Sequence, residues 1–363
     1  MTENAYAERI YATTMLEPLI GPLRQAGLSP ERALLAGGLS EADVASPATL
    51  VSIDQMLLVY DAIVAQMGDP MLAYRLGLAF HVTTYGMYGF AMLSSADSRH
   101  ALEIALQYHR LGSPLARPEL SVEGPTASWR FTPIAHPRML GALYEFVVRL
   151  HVGIFARLYG EVVEEDLAGV AAGLAFDLAP DEAAVVGRLI GLRVERTPGD
   201  QTWIRVDSAH LGQPTRMGSP AVNRMLLQIC DEQIEELRKR EGLSGRLRTV
   251  LIMNGCRVLG VGGAARRLGM SERSLHRRLA DEGASFRRIR DDVQLRAAIE
   301  YLRDTELTVE AIAESLGFSD AANFRRAFRR WTGKPPLAYR RHRGGRRGRS
   351  ASTPQARRAN RGA

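Results

Sequence analysis

Two short clusters of side chains have the types and the spacing that recognition of DNA base edges requires. The first cluster contains Arg273, His276 and Arg277, and the second contains Ala322, Asn323, Arg325 and Arg326. Arginine can hydrogen-bond guanine through two donors, and asparagine can pair with adenine in the same two-point manner. Ala322 offers only a methyl contact, so we expect the second cluster to read fewer bases than the first.

Further basic residues follow the second cluster. Arg329 and Arg330 lie one turn beyond it. We expect them to contact phosphates, which position a protein on DNA without reading its sequence. Each arginine taken alone also fits an ordinary solvated surface position.

A repeated pattern surrounds the clusters and predicts the elements that must position them. In residues 264–279 and again in 311–328, a short helix ends in Leu-Gly, and an apolar residue, a serine and a second helix follow. Gly269 and Gly317 suit the turn of a helix-turn-helix because glycine adopts positive φ without strain. Ser271 and Ser319 are predicted to cap the second helices by accepting a backbone N–H. Because the pattern occurs twice, two unrelated helical hairpins are the weaker interpretation.

A helix predicted over residues 285–304 separates the two copies. It carries apolar residues on two nearly opposite stripes, namely Phe286, Ile289 and Val293 on one and Leu295, Ile299 and Leu302 on the other. Such a helix packs against neighbours on both sides. It could therefore hold two recognition helices in successive major grooves, about 34 Å apart. Gly262 and Gly263 each cost about 0.5–1 kcal/mol relative to alanine inside a helix, so they predict that the first helix of the first copy starts late or is mobile.

This C-terminal stretch resembles the tandem helix-turn-helix DNA-binding domain of the AraC/XylS transcriptional regulators. The residues that carry the resemblance are Leu316–Asp320, Asn323–Pro336, Tyr339-Arg340 and, in the first copy, Met270–Leu279. The resemblance implies an all-α domain with two helix-turn-helix motifs joined by a central helix. It also implies binding to double-stranded DNA and regulation of transcription, with RNA polymerase as a further candidate partner.

Charge is divided unevenly along the 363 residues. Residues 245–363 hold 27 Arg and Lys against 11 Asp and Glu, whereas residues 1–244 hold 20 against 29. A basic part beside an acidic part is typical of a nucleic-acid-binding domain joined to a domain with another role. The predicted division is an effector-binding domain over 1–215, an interdomain helix or linker over 216–244, the helix-turn-helix domain over 245–343 and a disordered basic tail over 344–363.

Two of these segments have alternative interpretations. A helix predicted over 221–240 serves either as a strut between the domains or as a contact in a homodimer. The tail is rich in Arg, Gly and Ser and holds no acidic residue, so it cannot bury a core. It either adds attraction to phosphates or is only solvated.

The N-terminal part combines helices and strands, which predicts an α+β domain. Residues 1–110 have mostly helical patterns, with helix starts at Ser29-Pro30 and Ile53. Gly124-Pro125 separates the strands of a predicted hairpin, and a long helix is predicted over 138–159. Further strands are predicted over 173–178 and 201–206, with a short helix over 181–189.

A glycine- and aromatic-rich segment, 80–90, is the candidate effector site and is predicted to separate two helices. His81, Tyr85 and Tyr88 lie close together in it, and aromatic residues with polar tips can line a pocket for a small molecule. Each of them singly also fits a core aromatic with a satisfied polar group. Residues 85–95 resemble the effector-binding domain of the AraC-type branch that includes ornithine-responsive regulators. That resemblance implies a small-molecule effector without identifying it.

Composition and motifs argue against other functions. No apolar run approaches the roughly 18–20 residues of a membrane helix, and the N-terminus lacks the order of a signal peptide, so we expect a cytoplasmic protein. Gly-x-Ser-x-Gly, His-Glu-x-x-His and Walker A motifs are absent, so neither enzymatic activity nor a cofactor is expected. Cys230 and Cys256 form no metal-ligand motif and fit buried thiols, with a redox pair as the alternative. A DNA-binding architectural protein without an effector is the alternative overall function.

Overall fold

The computed structural model describes residues 6–134, 136–163, 167–178, 181–197, 201–215, 217–240, 242–253, 259–305 and 307–340. The predicted tail over 344–363 and Cys256 lie outside these residues. Within them, no helix is both long and apolar enough to cross a membrane.

Helices dominate the first part of the chain. Their bounds are α1 Glu17–Gln25, α2 Pro30–Ala36, α3 Glu41–Ala45, α4 Ile53–Gln66, α5 Met71–Leu78, α6 Gly86–Leu93, α7 Ser98–Gln107 and α8 His109–Gly112. Two short strands, β1 Tyr11–Ala12 and β2 Leu50–Val51, pair antiparallel beside them. The predicted helix starts are confirmed, because the hydroxyls of Ser29 and Ser52 cap α2 and α4. The 80–90 segment differs from the prediction, since it contains a 3-10 turn and the start of α6.

A five-stranded sheet completes the N-terminal part. Its strands and the helices between them are β3 Ala116–Glu123, β4 Thr126–Pro133, α9 Gly141–Val163, β5 Ala171–Leu174, α10 Glu182–Ile190, β6 Arg193–Arg196 and β7 Trp203–Asp207. The strand order is β3-β4-β7-β5-β6, and among the described strand pairs only β5 and β6 run parallel. The predicted hairpin is confirmed as β3 and β4, whereas β6 was not predicted.

The long helix α9 lies in the centre of the N-terminal core. It crosses α5 where Gly77 faces Gly153. A Cβ atom at Gly77 would lie 2.3 Å from the carbonyl oxygen of Leu150, and one at Gly153 would lie 2.5 Å from that of Tyr74. The two helices can approach this closely only because both positions are glycine.

The remaining helices form the C-terminal part. Their bounds are α11 Pro220–Arg240, α12 Gly242–Met253, α13 Val261–Arg267, α14 Glu272–Asp281, α15 Phe286–Asp304, α16 Val309–Ser315 and α17 Ala321–Thr332. Leu226 and Cys230 of α11 belong to the N-terminal core, whereas Leu243 and Leu247 of α12 pack with α13 and α14. The helix α12 was not predicted, because Gly242 was interpreted as the end of the preceding helix.

The central helix α15 joins two separate small cores. Phe286, Ile289 and Val293 pack with α12, α13 and α14, and Ile299 and Leu302 pack with α16 and α17. The predicted two-sided spacer is therefore confirmed, as is the fold class of an α+β part followed by an all-α part with two helix-turn-helix motifs.

The expected late start of the first helix-turn-helix is wrong. Helix α13 begins at Val261, with Gly260 as its N-cap residue, so both glycines lie in its first turn. A Cβ atom at Gly263 would lie 2.7 Å from Cδ1 of Leu259. The glycine there leaves room for a packed side chain, which offsets part of its helix-propensity cost.

Candidate functional site

The two helix-turn-helix motifs hold α14 and α17 through similar turns. Gly269 and Gly317 have φ values of 69° and 76°, as their predicted place in the turn requires. Ser271 caps α14, because its hydroxyl accepts the N–H of Ser274 at 3.1 Å. In the second copy the predicted cap, Ser319, is wrong.

Asp320 caps α17 instead of Ser319. Its carboxylate accepts the N–H of Asn323 at 2.6 Å. The reason is that the second turn is one residue longer, so the cap position moves one residue beyond the serine. The hydrogen bond from the Asn323 backbone N–H holds the pKa of the Asp320 carboxyl below its usual range.

With the two caps aligned, the predicted reading residues occupy equivalent positions. Arg273, His276 and Arg277 of α14 correspond to Ala322, Arg325 and Arg326 of α17, and all six side chains are exposed. The opposite faces are buried, through Leu275 and Leu279 in α14 and through Phe324 and Phe328 in α17. Each motif therefore presents a basic face of one helix to solvent.

A hydrogen-bonded cluster surrounds the start of α17. The amide nitrogen of Asn323 donates to Ser319 Oγ at 2.7 Å and to Asp320 Oδ2 at 2.6 Å. Its amide oxygen accepts from Arg326 at 2.5 Å. Asn323 thus uses both ends of its amide inside the protein and holds the Arg326 guanidinium in a defined position.

Two of the other predicted arginines are paired with acids. Arg325 lies 2.6 Å from Glu310 of α16, and Arg330 lies 3.2 Å from Asp291 of α15. Arg329 is exposed on the same helix. The structure therefore brings the predicted DNA-contacting residues onto the surfaces of α14 and α17. On α17, Arg325, Arg326 and Arg330 also contact other side chains of the protein.

A cavity of about 110 Å³, partly open to solvent, lies in the N-terminal part, between α7, α9 and the β3–β4 hairpin. Its walls are mostly aromatic or small, and include Tyr85, Tyr88, Ala105, Trp129, Phe131 and Phe155. None of the described residues that line it is Asp, Glu, Lys or Arg. Its surface is therefore almost entirely apolar, which is typical of small-molecule sites.

The polar groups of the cavity wall include one short hydrogen-bonded chain and one isolated hydroxyl. His151 Nδ1 lies 2.7 Å from the carbonyl oxygen of Val147, so that nitrogen donates. His151 Nε2 then accepts from the Ser113 hydroxyl at 2.6 Å. Burial lowers the pKa of His151 to about 4, so the ring is neutral at pH 7. The Tyr85 hydroxyl is buried and has no hydrogen-bond partner among the described residues.

The predicted effector residues separate in the structure. Tyr85 and Tyr88 line the cavity, and the Tyr88 hydroxyl donates to the carbonyl oxygen of Ala105 at 3.1 Å. His81 does not line it; its side chain is exposed, and Nδ1 lies 2.5 Å from Glu161. His151 was missed, although a histidine inside the apolar stretch 144–159 was a signal for a polar group in a buried wall.

Comparison with known proteins identifies both parts of the chain. Residues 27–215 match the family described as the arabinose-binding N-terminal domain of AraC transcription regulator, and residues 264–342 match a helix-turn-helix domain. The ornithine utilization regulator of Pseudomonas aeruginosa is 35% identical over 292 residues, which cover 79% of this chain and 83% of that protein.

Other relatives are more distant. The transcriptional regulator VqsM of Pseudomonas aeruginosa is 25% identical over 290 residues, covering 78% of this chain and 87% of that protein. The crystal structure of the transcriptional regulator CdpR from the same organism has a TM-score of 0.50 and 22% identity, covering 90% of this chain and 98% of that one. That likeness shows a shared fold.

Proposed function

Since the chain belongs to the AraC family of transcription regulators, with an effector domain followed by a helix-turn-helix DNA-binding domain, we propose that it reads its DNA site through α14 and α17 together. The observation that carries this proposal is the pair of equivalently capped helices, whose exposed basic faces are held by one central helix, α15. A rigid spacer of this kind suits binding to successive major grooves.

The residues of the two helices have different proposed roles. Arg273, His276 and Arg277 contact base edges from α14. In α17, Arg326 is the principal reading residue, because Asn323 holds its guanidinium in place before DNA binds. Asn323 itself must give up internal hydrogen bonds to pair with adenine. We propose phosphate contacts for Arg329 and Arg330 and a methyl contact for Ala322.

The proposed effector site is the cavity of the N-terminal domain. The name of the ornithine utilization regulator makes ornithine the first effector to consider. Ornithine carries ammonium and carboxylate groups, and burying them requires charged partners. The described residues that line the cavity supply none, so the cavity does not favour ornithine.

Contacts between the two domains support control by the effector. Pro118 of β3 lines the cavity, and the preceding residue, Arg117, forms an ion pair with Glu300 of α15. The ring of Tyr6 lies 4.5 Å from the ring of His136 and 3.9 Å from the Arg296 guanidinium of α15. The Arg117 contact provides a route from the cavity wall to the central helix, and the Tyr6 contact is a second link between the domains. An architectural protein without an effector would not need such a route.

The proposal extends to the contacts of α11 and to the location of the protein. Val222 and Met225 of α11 are 44% and 57% exposed, which supports a contact between two copies of the chain on this face, with the interdomain strut as its alternative. We place the regulator in the cytoplasm, where it reaches DNA and RNA polymerase.

A footprint on the DNA upstream of the protein's own and neighbouring genes tests the DNA-reading proposal. Arg277→Ala and Arg326→Ala would be compared with Arg32→Ala, which removes one exposed charge from α2 of the N-terminal part. We expect two protected patches one helical turn apart, each weakened by its own variant. Each good bidentate contact contributes about 1–3 kcal/mol, or roughly 5- to 150-fold in affinity. Protection without sequence preference, lost steeply with salt and unaffected by both variants, would indicate phosphate binding alone.

A further inference from the structure

From the lining of the cavity we infer that the effector is a neutral, mainly apolar molecule, the size of one substituted aromatic ring, that carries a hydroxyl group. The inference rests on the proposed function, because it names the ligand class of the same cavity. Three properties of the cavity carry it: its size, the distribution of charge around it, and the few polar groups in its wall.

The size of the cavity limits the ligand. At about 110 Å³ it is comparable with an apolar protein cavity of about 150 Å³ that stays dry and binds benzene. The rings of Trp129, Phe131 and Phe155 line it. Phe131 stacks with His151 and Phe155 stacks with Tyr159, so these aromatic walls are fixed in orientation. Flat aromatic walls suit a flat aromatic ligand.

Charged side chains of the same elements face away from the cavity. On β4, Trp129 and Phe131 face inward, whereas Arg130 hydrogen-bonds Ser121 on the outer face of the hairpin. On α9, Arg149 pairs with buried Glu182 at 2.8 Å. His151 cannot supply a positive charge, because burial keeps its ring neutral. A charged ligand would therefore be buried without a counter-charge, which is strongly unfavourable.

The polar groups of the wall suit a hydroxyl group. The Tyr85 hydroxyl is buried without a partner among the described residues, and burial raises its pKa, so it stays protonated and can donate. The Ser113 hydroxyl donates to His151 Nε2, which leaves its oxygen able to accept. A ligand hydroxyl can accept a hydrogen bond from the Tyr85 hydroxyl or donate one to the Ser113 oxygen. Each of these bonds adds a hydrogen bond to a polar group of the cavity wall.

Three probes of nearly equal size and different charge test the inference with the full-length protein. Benzyl alcohol is neutral, benzylamine is an ammonium ion at pH 7, and benzoate is an anion. Thermal unfolding would be followed with each probe over a concentration series up to the millimolar range. A probe at ten times its Kd should raise Tm by about 3–5 °C when a domain of about 200 residues unfolds as a unit. We expect this increase for benzyl alcohol and no increase for the two ions.

Two variants place the binding in the cavity. Ala105→Leu adds side-chain volume to the wall, and its control, Ala65→Leu, makes the same change at an exposed position of α4. The Tm increase should disappear only in the first. Tyr85→Phe removes the buried hydroxyl without changing the ring, and it should weaken benzyl alcohol binding roughly 5- to 10-fold. This variant keeps the test informative if Ala105→Leu does not fold.

Each outcome decides a separate question. An equal Tm increase with benzylamine or benzoate, an increase that survives Ala105→Leu, or no increase with benzyl alcohol overturns the ligand class. DNA affinity would be measured beside Tm with the same probes. Benzyl alcohol binding that leaves DNA affinity unchanged supports the ligand class and contradicts the proposed effector control, so the two failures are distinguishable.

Discussion

Glu282, which follows the C-terminal end of α14, connects the first recognition helix to the start of α12. Its carboxylate accepts the N–H of Leu243 at 2.7 Å, and both the N–H and the hydroxyl of Ser244 at 2.9 and 2.7 Å. The first N–H groups of a helix have no partner inside it. The Glu282 carboxylate therefore caps α12, and Glu282→Ala is expected to loosen this helix locally.

The magnitude follows from the lost contacts. Replacing a capping residue by alanine costs about 0.5–2 kcal/mol. Loss of a carboxylate beside a helix N-terminus adds about 0.3–1 kcal/mol. Because Glu282 is exposed, water replaces some of these interactions, so we expect a total of about 1–2 kcal/mol. That free energy corresponds to roughly 5- to 30-fold faster amide exchange in α12.

Hydrogen exchange measured by mass spectrometry on the full chain provides the assay. Asp281→Ala is the matched control, because Asp281 is the adjacent acid at the same helix end and is exposed. Exchange in the peptide that covers residues 242–253 should accelerate in Glu282→Ala and remain unchanged in Asp281→Ala. Equal acceleration in the two variants, or none in Glu282→Ala, would refute the capping role.

The same contact predicts a pH dependence. Burial alone would raise the pKa of Glu282, but the hydrogen bonds from Ser244 and Leu243 outweigh it and lower the pKa. A carboxyl group with a lowered folded-state pKa stabilises the protein above its unfolded pKa, near 4.3, and this contribution disappears as pH falls through the folded value. The exchange difference between wild type and Glu282→Ala should persist at pH 7 and vanish in acid. A difference that grows in acid would contradict the assignment.

Two further substitutions test the recognition face and the core. Glu310→Gln removes the acid that pairs with Arg325, so DNA should bind more tightly. The slope of log affinity against log salt concentration should steepen by up to about 1. A DNA titration over a salt series measures both, with Glu314→Gln on the same helix as the control. Gly153→Ala should cost about 1–3 kcal/mol in urea unfolding, because its Cβ would lie 2.5 Å from the carbonyl oxygen of Tyr74. The control Gly160→Ala, on the same helix with nothing within 4 Å, should be neutral or stabilising; equal losses at both glycines would contradict the close-packing argument.

Local patterns predicted the DNA-binding part well. The turn glycines, the buried pairs such as Leu275 and Leu279, and the two stripes of α15 all follow from the spacing of neighbouring residues. The cap of α17 was missed because an extra residue in the turn moves the cap from Ser319 to Asp320. The start of α12 was missed because its capping group, Glu282, lies almost forty residues later in the sequence.

The cavity could not be predicted from local patterns, because its wall combines distant segments. Tyr85 ends a 3-10 turn, Ser113 follows α8, Trp129 lies in β4 and His151 lies in α9, so tertiary packing alone brings them together. The segment around Tyr85 was identified by its composition. The inward direction of Trp129 depends on the register between β3 and β4, which pairs it with Leu120.

The contacts of α15 determine which part of the DNA-binding domain the proposed effector can influence. Arg117 and Tyr6, from the N-terminal domain, contact Glu300 and Arg296 of this helix. Because α15 contributes to the cores of both helix-turn-helix motifs, a displacement transmitted through it shifts both recognition helices. A displacement transmitted through α12 would act directly on the first motif, since the described residues of α12 contribute to that core and not to the second. Control through the cavity wall and β3 is therefore expected to change binding at both half-sites together, rather than at the first half-site only.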